Sequence, residues 1–139
     1  MSLFPEALAG EPYCYVTTTG RRTGRPHTIE IWFGHDRGDT LYIMAGGRER
    51  SDTVRNLIAA PDARVRVGDV TFAARARVLR PETEEDRLAR RLLLAKYAPG
   101  YSGSLDSWGR TALPVALDIV SVVSRDPADA LWSERRRAR

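Results

Sequence analysis

Apolar and polar residues alternate with a period of two over much of this chain, the mark of half-buried strands. Tyr13–Thr19 is rich in β-branched and aromatic residues and reads as a first strand. Across His27–Gly34, Ile29, Ile31 and Phe33 fall on one face and Thr28, Glu30 and Trp32 on the other. Thr40–Ala45 alternates again, with Leu41, Ile43 and Ala45 together, after a turn cluster at His35–Asp39. These three strands read as an antiparallel meander. The period then becomes helical. Gly46-Gly47 breaks the strand, Ser51 or Asp52 caps a helix, and Val54, Leu57 and Ile58 mark its apolar stripe. Pro61-Asp62 ends it. Ala63–Gly68, with Val65 and Val67 inward, and Val70–Leu79 are two strands joined at Gly68-Asp69, glycine first as a type II′ turn prefers. On the second of these, Val70, Phe72, Ala74, Ala76 and Val78 share a face opposite Arg75 and Arg77.

Pro81–Lys96 carries the strongest helix pattern. Thr83 caps it, Glu84, Glu85 and Asp86 suit the positive end of its dipole, and Leu88, Leu92 and Ala95 form its buried stripe. Tyr97–Arg110, with three glycines and three aromatics, reads as a loop. Leu113–Val123 is a last strand, Asp126-Pro127 closes it, and Ala128–Trp132 adds a helical turn. The order β-β-β-α-β-β-α-β lacks the regular strand–helix alternation of a parallel α/β fold. The expected class is mainly β (α+β): a six-stranded, mostly antiparallel β-barrel with two to four flanking helices. It forms a single domain over residues 1–139, with 1–12 as a lead-in and 133–139 as a basic, flexible tail.

Composition narrows the function. The net charge is +4, but Ser133–Arg139 holds four Arg and one Glu, so +3 of it sits in seven residues. The remainder is nearly neutral, which argues against a nucleic-acid interface. No apolar run reaches the roughly 20 residues of a membrane span, so only peripheral membrane contact stays open. No secretory signal is expected from MSLFPEALAGEP, and the single cysteine, Cys14, excludes an internal disulfide framework. A cytoplasmic location is expected. His27 and His35 stand in no ligand spacing, so no metal site is expected, and Cys14 reads as a buried, inert thiol. Ser102, Ser104 and Ser107 lack the context of a hydrolase nucleophile.

Candidate chemistry gathers at two Gly/Arg-rich turns. Gly20 and Gly24 bracket Arg21, Arg22 and Thr23, with Arg25 and His27 next. Permissive glycines let backbone N–H groups converge on an anion, and Arg adds a planar multidentate donor. The alternative is a solvated hairpin carrying charge for solubility. Gly46-Gly47, with Arg48 and Arg50, opens onto a helix N-terminus. In a meander the ends of the first and third strands lie on one side, so both turns converge into one basic pocket. The alternative is that the glycines only bend the strand away. Asn56 either hydrogen-bonds a ligand or caps a neighbouring loop. Tyr97, Tyr101 and Trp108 either wall an apolar substrate site or pin an irregular loop to the core.

The run TTTGRRTGRPHTIEI (17–31), a Gly-Gly turn leading to a helix ending Arg55-Asn56-Leu57, and AAPDARVRVGDVTFAARARV (59–78) together resemble the deazaflavin-dependent nitroreductase family. That family lies within the flavin/deazaflavin oxidoreductases of split β-barrel fold. The resemblance spans Tyr13 to Val123, and Asn56–Pro61 is close to the family's second motif rather than identical to it. It implies coenzyme F420, a deazaflavin with a phosphate and a polyglutamate tail. By motif, Arg21, Arg22, Arg25 and His27 would hold the phosphate and tail. Backbone of Thr28, Ile29, Glu30 and Ile31, and of Ala45, Gly46 and Gly47, would line the deazaflavin. Val54, Asn56 and Leu57 would pack or hydrogen-bond at the ring system. Thr53 stands where the family often has Trp. Tyr97, Tyr101 and Trp108 occupy the region of its substrate-side tyrosines, and no catalytic residue is assigned.

The activity implied is hydride transfer from reduced F420 to a small electron-poor acceptor: a quinone, a nitro compound or an activated alkene. The runner-up is an FMN-binding split-barrel oxidoreductase. A third reading is a non-catalytic carrier of F420, a tetrapyrrole or a fatty acid. Split barrels commonly form homodimers, so a homodimer is open.

Overall fold

A computed structural model describes residues 2–125. The expected helical turn at 128–132 and the basic tail at 133–139 lie outside the described residues. Among these residues seven strands form one antiparallel sheet: β1 (Cys14–Thr19), β2 (Pro26–Ile31), β3 (Gly34–His35), β4 (Thr40–Ala45), β5 (Asp62–Val67), β6 (Val70–Val78) and β7 (Leu113–Ser124). Their order across the sheet is β2-β1-β5-β6-β7-β4-β3. The seventh strand is the two-residue β3, cut from the end of the expected His27–Gly34 strand by a break at Trp32-Phe33.

The first strands are not a meander. β2 pairs with β1, but β4 pairs with β7 over six residues and with β3 over two. Burial explains the choice. β4 is apolar on both faces, with Leu41, Ile43 and Ala45 in the barrel core and Tyr42 and Met44 in a second cluster, so it belongs inside the sheet. β2 is exposed or half-buried throughout, which suits an edge.

The two edge strands are consecutive in the chain, with only Trp32 and Phe33 between them. That tether holds Ile31 within about 10 Å of Gly34, so the sheet must curl until its edges meet. Val16, Phe33, Leu41, Ile43, Val65, Phe72, Val115 and Leu117 fill the interior, each no more than 1% exposed. The type II′ expectation at Gly68-Asp69 fits: Gly68 has a φ of +60° and Asp69 is not among the positive-φ residues.

Helix α1 (Asp52–Ala59) contacts β1 and β6; Val54 and Leu57 are buried, while Ile58 is 60% exposed, contrary to its expected place on the buried stripe. Ser51 is its cap, accepting from the Val54 N–H at 3.3 Å. Helix α2 (Glu84–Tyr97) lies over the outer face of β4 and β7, capped by Thr83. Its buried line runs through Asp86, Ala89 and Leu93, with Leu88 and Leu92 flanking, and Ala95 faces solvent. Arg77 on β6 ties this layer down, donating to Glu85 of α2 at 2.9 Å and to Asp118 of β7 at 2.6 Å. Its guanidinium holds both carboxyls below their usual range.

The expected loop Tyr97–Arg110 contains a third helix, α3 (Asp106–Thr111). Gly109 reads as a loop signal in sequence, yet it is a packing residue. A Cβ there would sit 2.8 and 2.9 Å from the Leu94 methyls, and its carbonyl accepts from Arg90 at 2.9 Å.

Candidate functional site

Curling leaves one open line in the barrel. Among the described residues, β2 has no strand partner on its outer edge, and β4 has none beyond Tyr42 on the side of β3. A cavity of about 750 Å³ touches both edges: Glu30 and Ile31 from β2, Met44 and Gly46 at the end of β4. Its far wall is Tyr101, Leu105 and Trp108 from the segment after α2. Ser104, Ser107 and Thr111 add hydroxyls. Unpaired strand edges present alternating N–H and C=O groups, a ready partner for a planar heterocycle with donors and acceptors on its rim.

Trp32, at the break between β2 and β3, is the centre of the aromatic wall. Tyr97 stacks on it with centroids 4.3 Å apart and planes at 6°. Tyr101 and Trp108 meet it edge-on, at 5.9 Å and 5.6 Å. Such edge and offset contacts are the preferred aromatic geometries. Tyr97 does not line the cavity. Its hydroxyl accepts from the Phe33 N–H at 3.1 Å and donates to the Pro12 carbonyl at 2.8 Å, so it backs Trp32. Burial pushes its pKa up to about 12, keeping it a donor at neutral pH. Lys96 donates to the Phe33 carbonyl at 3.1 Å and lies 3.6 Å over the Phe33 ring; desolvation lowers its pKa to about 8. Cys14 is fully buried and its thiol pushed up to about 12, the inert state expected.

Trp32 and Met44 were missed in the sequence as site residues. Trp32 left a signal: it is a large aromatic on the polar face of its strand, beside Thr28 and Glu30.

The arginine turn sits on α1. Asn56, 2% exposed, accepts through Oδ1 from the Arg21 N–H at 3.1 Å and from its guanidinium at 2.9 Å. Asp52 takes a second Arg21 nitrogen at 3.0 Å. The backbone N–H groups of Gly20, Arg21, Gly24 and Arg25 all find partners within the protein. The turn therefore does not offer a concavity of free backbone donors at those positions. What it offers is side chains: Arg22 and Arg25 are exposed, and their guanidiniums make no ion pair or hydrogen bond with the described residues. Gly24 takes a φ of +73°, the one backbone angle in the turn that calls for glycine.

The second turn is at the same end of the barrel, although not through a meander. Four antiparallel steps, β1-β5-β6-β7-β4, separate β1 from β4, and an even number of reversals leaves the two strands pointing alike. The shared barrel end thus follows by a different route. Arg48, however, turns away, donating to the Thr111 carbonyl at 2.6 Å and to Glu49 at 3.1 Å. Arg50 and His27 are exposed. Thr23 accepts from the Arg25 N–H, and Thr28 bonds Thr17 across β1 and β2 at 2.7 Å. Ile29 packs on the barrel core, where Val54 and Leu57 are buried, so these three are not walls of the seam cavity. No group of three or more His, Cys, Asp or Glu fit for a metal exists among the described residues. No helix there is long and apolar enough to cross a membrane.

Comparison with solved structures places the fold. An F420H2-dependent reductase, FDR-A, superposes with a TM-score of 0.62 at 22% identity, over 77% of this chain and 94% of that one. The heme storage protein HutZ of Vibrio cholerae gives 0.69 at 14% identity, over 89% and 95%. A FAD-binding protein of Mesorhizobium loti gives 0.62 at 15%, over 84% and 87%. These share a split β-barrel and bind different groups, so they establish architecture alone. No curated protein matches the chain. The model of the F420H2-dependent quinone reductase family matches residues 4–119, nearly all of the described barrel, and the chain belongs to that family of oxidoreductases.

Proposed function

We propose that the chain reduces a small electron-poor acceptor with hydride from F420H2, a quinone first, with nitro compounds and activated alkenes as further acceptors. One observation carries the reading: two unpaired strand edges face one aromatic-walled cavity, and a turn with two exposed, unpartnered arginines lies at the barrel end where β4 leaves that cavity. A planar ring with hydrogen-bonding edges fits the first feature, and a phosphate with a polyanionic tail fits the second.

When bound, reduced F420 supplies the hydride. The chain's part is placement. Backbone of residues 28–31 and 45–47 would hold the ring's polar rim, and Arg22 and Arg25 would hold its phosphate and tail. Trp32 and Trp108 would stack or edge a flat acceptor and exclude water around it. The hydroxyl of Tyr101, a residue 45% exposed at the cavity, or solvent would return the proton. No nucleophile is required, in keeping with the inert Cys14.

The test is a fluorescence titration with F420 and with FMN, followed by turnover of F420H2 against a quinone, a nitroarene and an activated-alkene panel. Tight F420 binding with quinone turnover is expected. Tighter binding of FMN than of F420 would replace the cofactor, and full binding without turnover across the panel would make the chain a carrier. The reading carries a cytoplasmic location, which fractionation of the expressing cell checks.

A further inference from the structure

Asn56 is the most thoroughly used buried polar side chain near the arginine turn. Its oxygen accepts two hydrogen bonds from a single residue, Arg21, one from the backbone and one from the guanidinium. Its nitrogen donates to Thr18 Oγ1 at 3.1 Å, and Thr18 is itself 2% exposed on β1. All three contacts are internal, so the amide oxygen and nitrogen both already have protein partners. The residue fastens the end of β1 and Arg21 of the arginine turn to the buried face of α1.

The consequence lies in the two neighbouring arginines. Arg21 is folded onto Asn56 and Asp52, with its side chain 21% exposed. The turn then closes on itself through Gly24 N–H to the Gly20 carbonyl and Gly20 N–H to the Arg25 carbonyl, both at 2.8 Å. With Arg21 fixed inward and the turn closed, Arg22 and Arg25 stand outward with nothing in the described protein to pair with. A guanidinium that is presented rather than paired is what an anion requires.

We infer that Asn56 is a positioning residue: acting through Arg21, it sets the turn so that Arg22 and Arg25 receive the phosphate and tail of the cofactor, and it does not contact the deazaflavin ring. This rests on the F420 reading above. Two ligands separate the roles: F420, and the deazaflavin riboside that lacks phosphate and glutamates. A residue acting on the turn changes the first and spares the second, whereas a ring contact or a general loss of structure changes both.

The experiment titrates both ligands into the wild-type chain, Asn56→Ala and Asn56→Asp, and measures amide hydrogen exchange at residues 20–25 in each. Asn56→Ala leaves the Arg21 N–H and one guanidinium nitrogen without their acceptor, while Asp52 keeps the other. A loss of about tenfold in F420 affinity is expected, the size of one lost charge-assisted hydrogen bond. The riboside should change less than about twofold on the same scale. Exchange at 20–25 should quicken while the strands stay protected. Asn56→Asp keeps an acceptor for Arg21, and the Thr18 hydroxyl can turn to donate to it, so this variant should recover most of the affinity. Equal losses for both ligands, or an unchanged exchange rate at 20–25 in Asn56→Ala, would overturn the positioning role. Failure of the wild-type chain to bind either ligand would instead remove the F420 reading, and the exchange measurement would still decide whether Asn56 holds the turn.

Discussion

The two Gly/Arg turns at one end of the barrel have nearly the same composition and opposite organisation. In the β1–β2 turn, Arg21 finds a buried amide, and its neighbours Arg22 and Arg25 are left outward. In the turn after β4, Arg48 reaches across to the Thr111 carbonyl at the end of α3, and Gly46 forms part of the cavity wall beside Trp108. One turn presents charge. The other leaves only Arg50 outward, shapes a cleft and braces the helix behind it. What separates them is the acceptor each arginine meets, Asn56 in one case and Thr111 in the other, and both acceptors are 35 or more residues away in sequence. Local composition cannot distinguish a presented arginine from an anchored one.

The largest effect should come from taking away the presented charge. Arg22→Ala with Arg25→Ala removes two guanidiniums that hold nothing in the described protein, so melting temperature should stay near the wild-type value. Charge-assisted hydrogen bonds contribute about 1.5–3 kcal/mol each, so F420 affinity should fall by at least about a hundredfold while the phosphate-free riboside binds as before. An equal fall for the riboside would break the comparison, because the turn would then be acting on the ring.

Gly46 tests the other turn. A Cβ there would lie 3.7 Å and 3.9 Å from Trp108 ring atoms, ordinary contact, so the backbone accepts a side chain. Gly46→Leu pushes that side chain into the cavity mouth. Its expected loss is about tenfold, of the order of one misplaced apolar group, and it should fall on F420 and riboside alike. Gly46→Ala should cost little. The pattern opposite to that of the arginine pair is the sharpening result. A Gly46→Leu chain that loses F420 alone would place the ring elsewhere.

How far the sequence could be read follows from the same contrast. Period-two alternation located six strands because each has at least one buried or half-buried face, and the two capping signals at Ser51 and Thr83 are local hydrogen bonds seen where expected. Pairing was less legible. His27–Gly34 and Thr40–Ala45 are adjacent and alternate well, yet β4 lies between β7 and β3 because Tyr42 and Met44 also need cover, which α2 and Trp108, far along the chain, help to supply. Helix α3 was hidden because Gly109, a residue that breaks isolated helices, is required there for contact with Leu94. In the candidate site, Arg22 and Arg25 were legible by type as candidates for an anion. The anchoring of Arg21 was not, since it depends on a buried amide that belongs to another element.

Arg48 supplies the smallest and most discriminating test. Its φ is +51°, a left-handed angle that costs a side-chain-bearing residue about 1 kcal/mol. Its bond to the Thr111 carbonyl offsets some of that strain. Arg48→Ala keeps the strain and loses the bond, so stability should drop by about 1 kcal/mol. Arg48→Gly loses the bond and the strain together and should leave the melting temperature close to wild type. In both, F420 affinity should change by less than about twofold, because this arginine is anchored rather than presented. Urea unfolding of the two variants, with F420 titrations on each, reads every term. If Arg48→Gly weakened F420 as strongly as the Arg22 and Arg25 pair does, the turn after β4 would be a second anion site and the division between the two turns would fail.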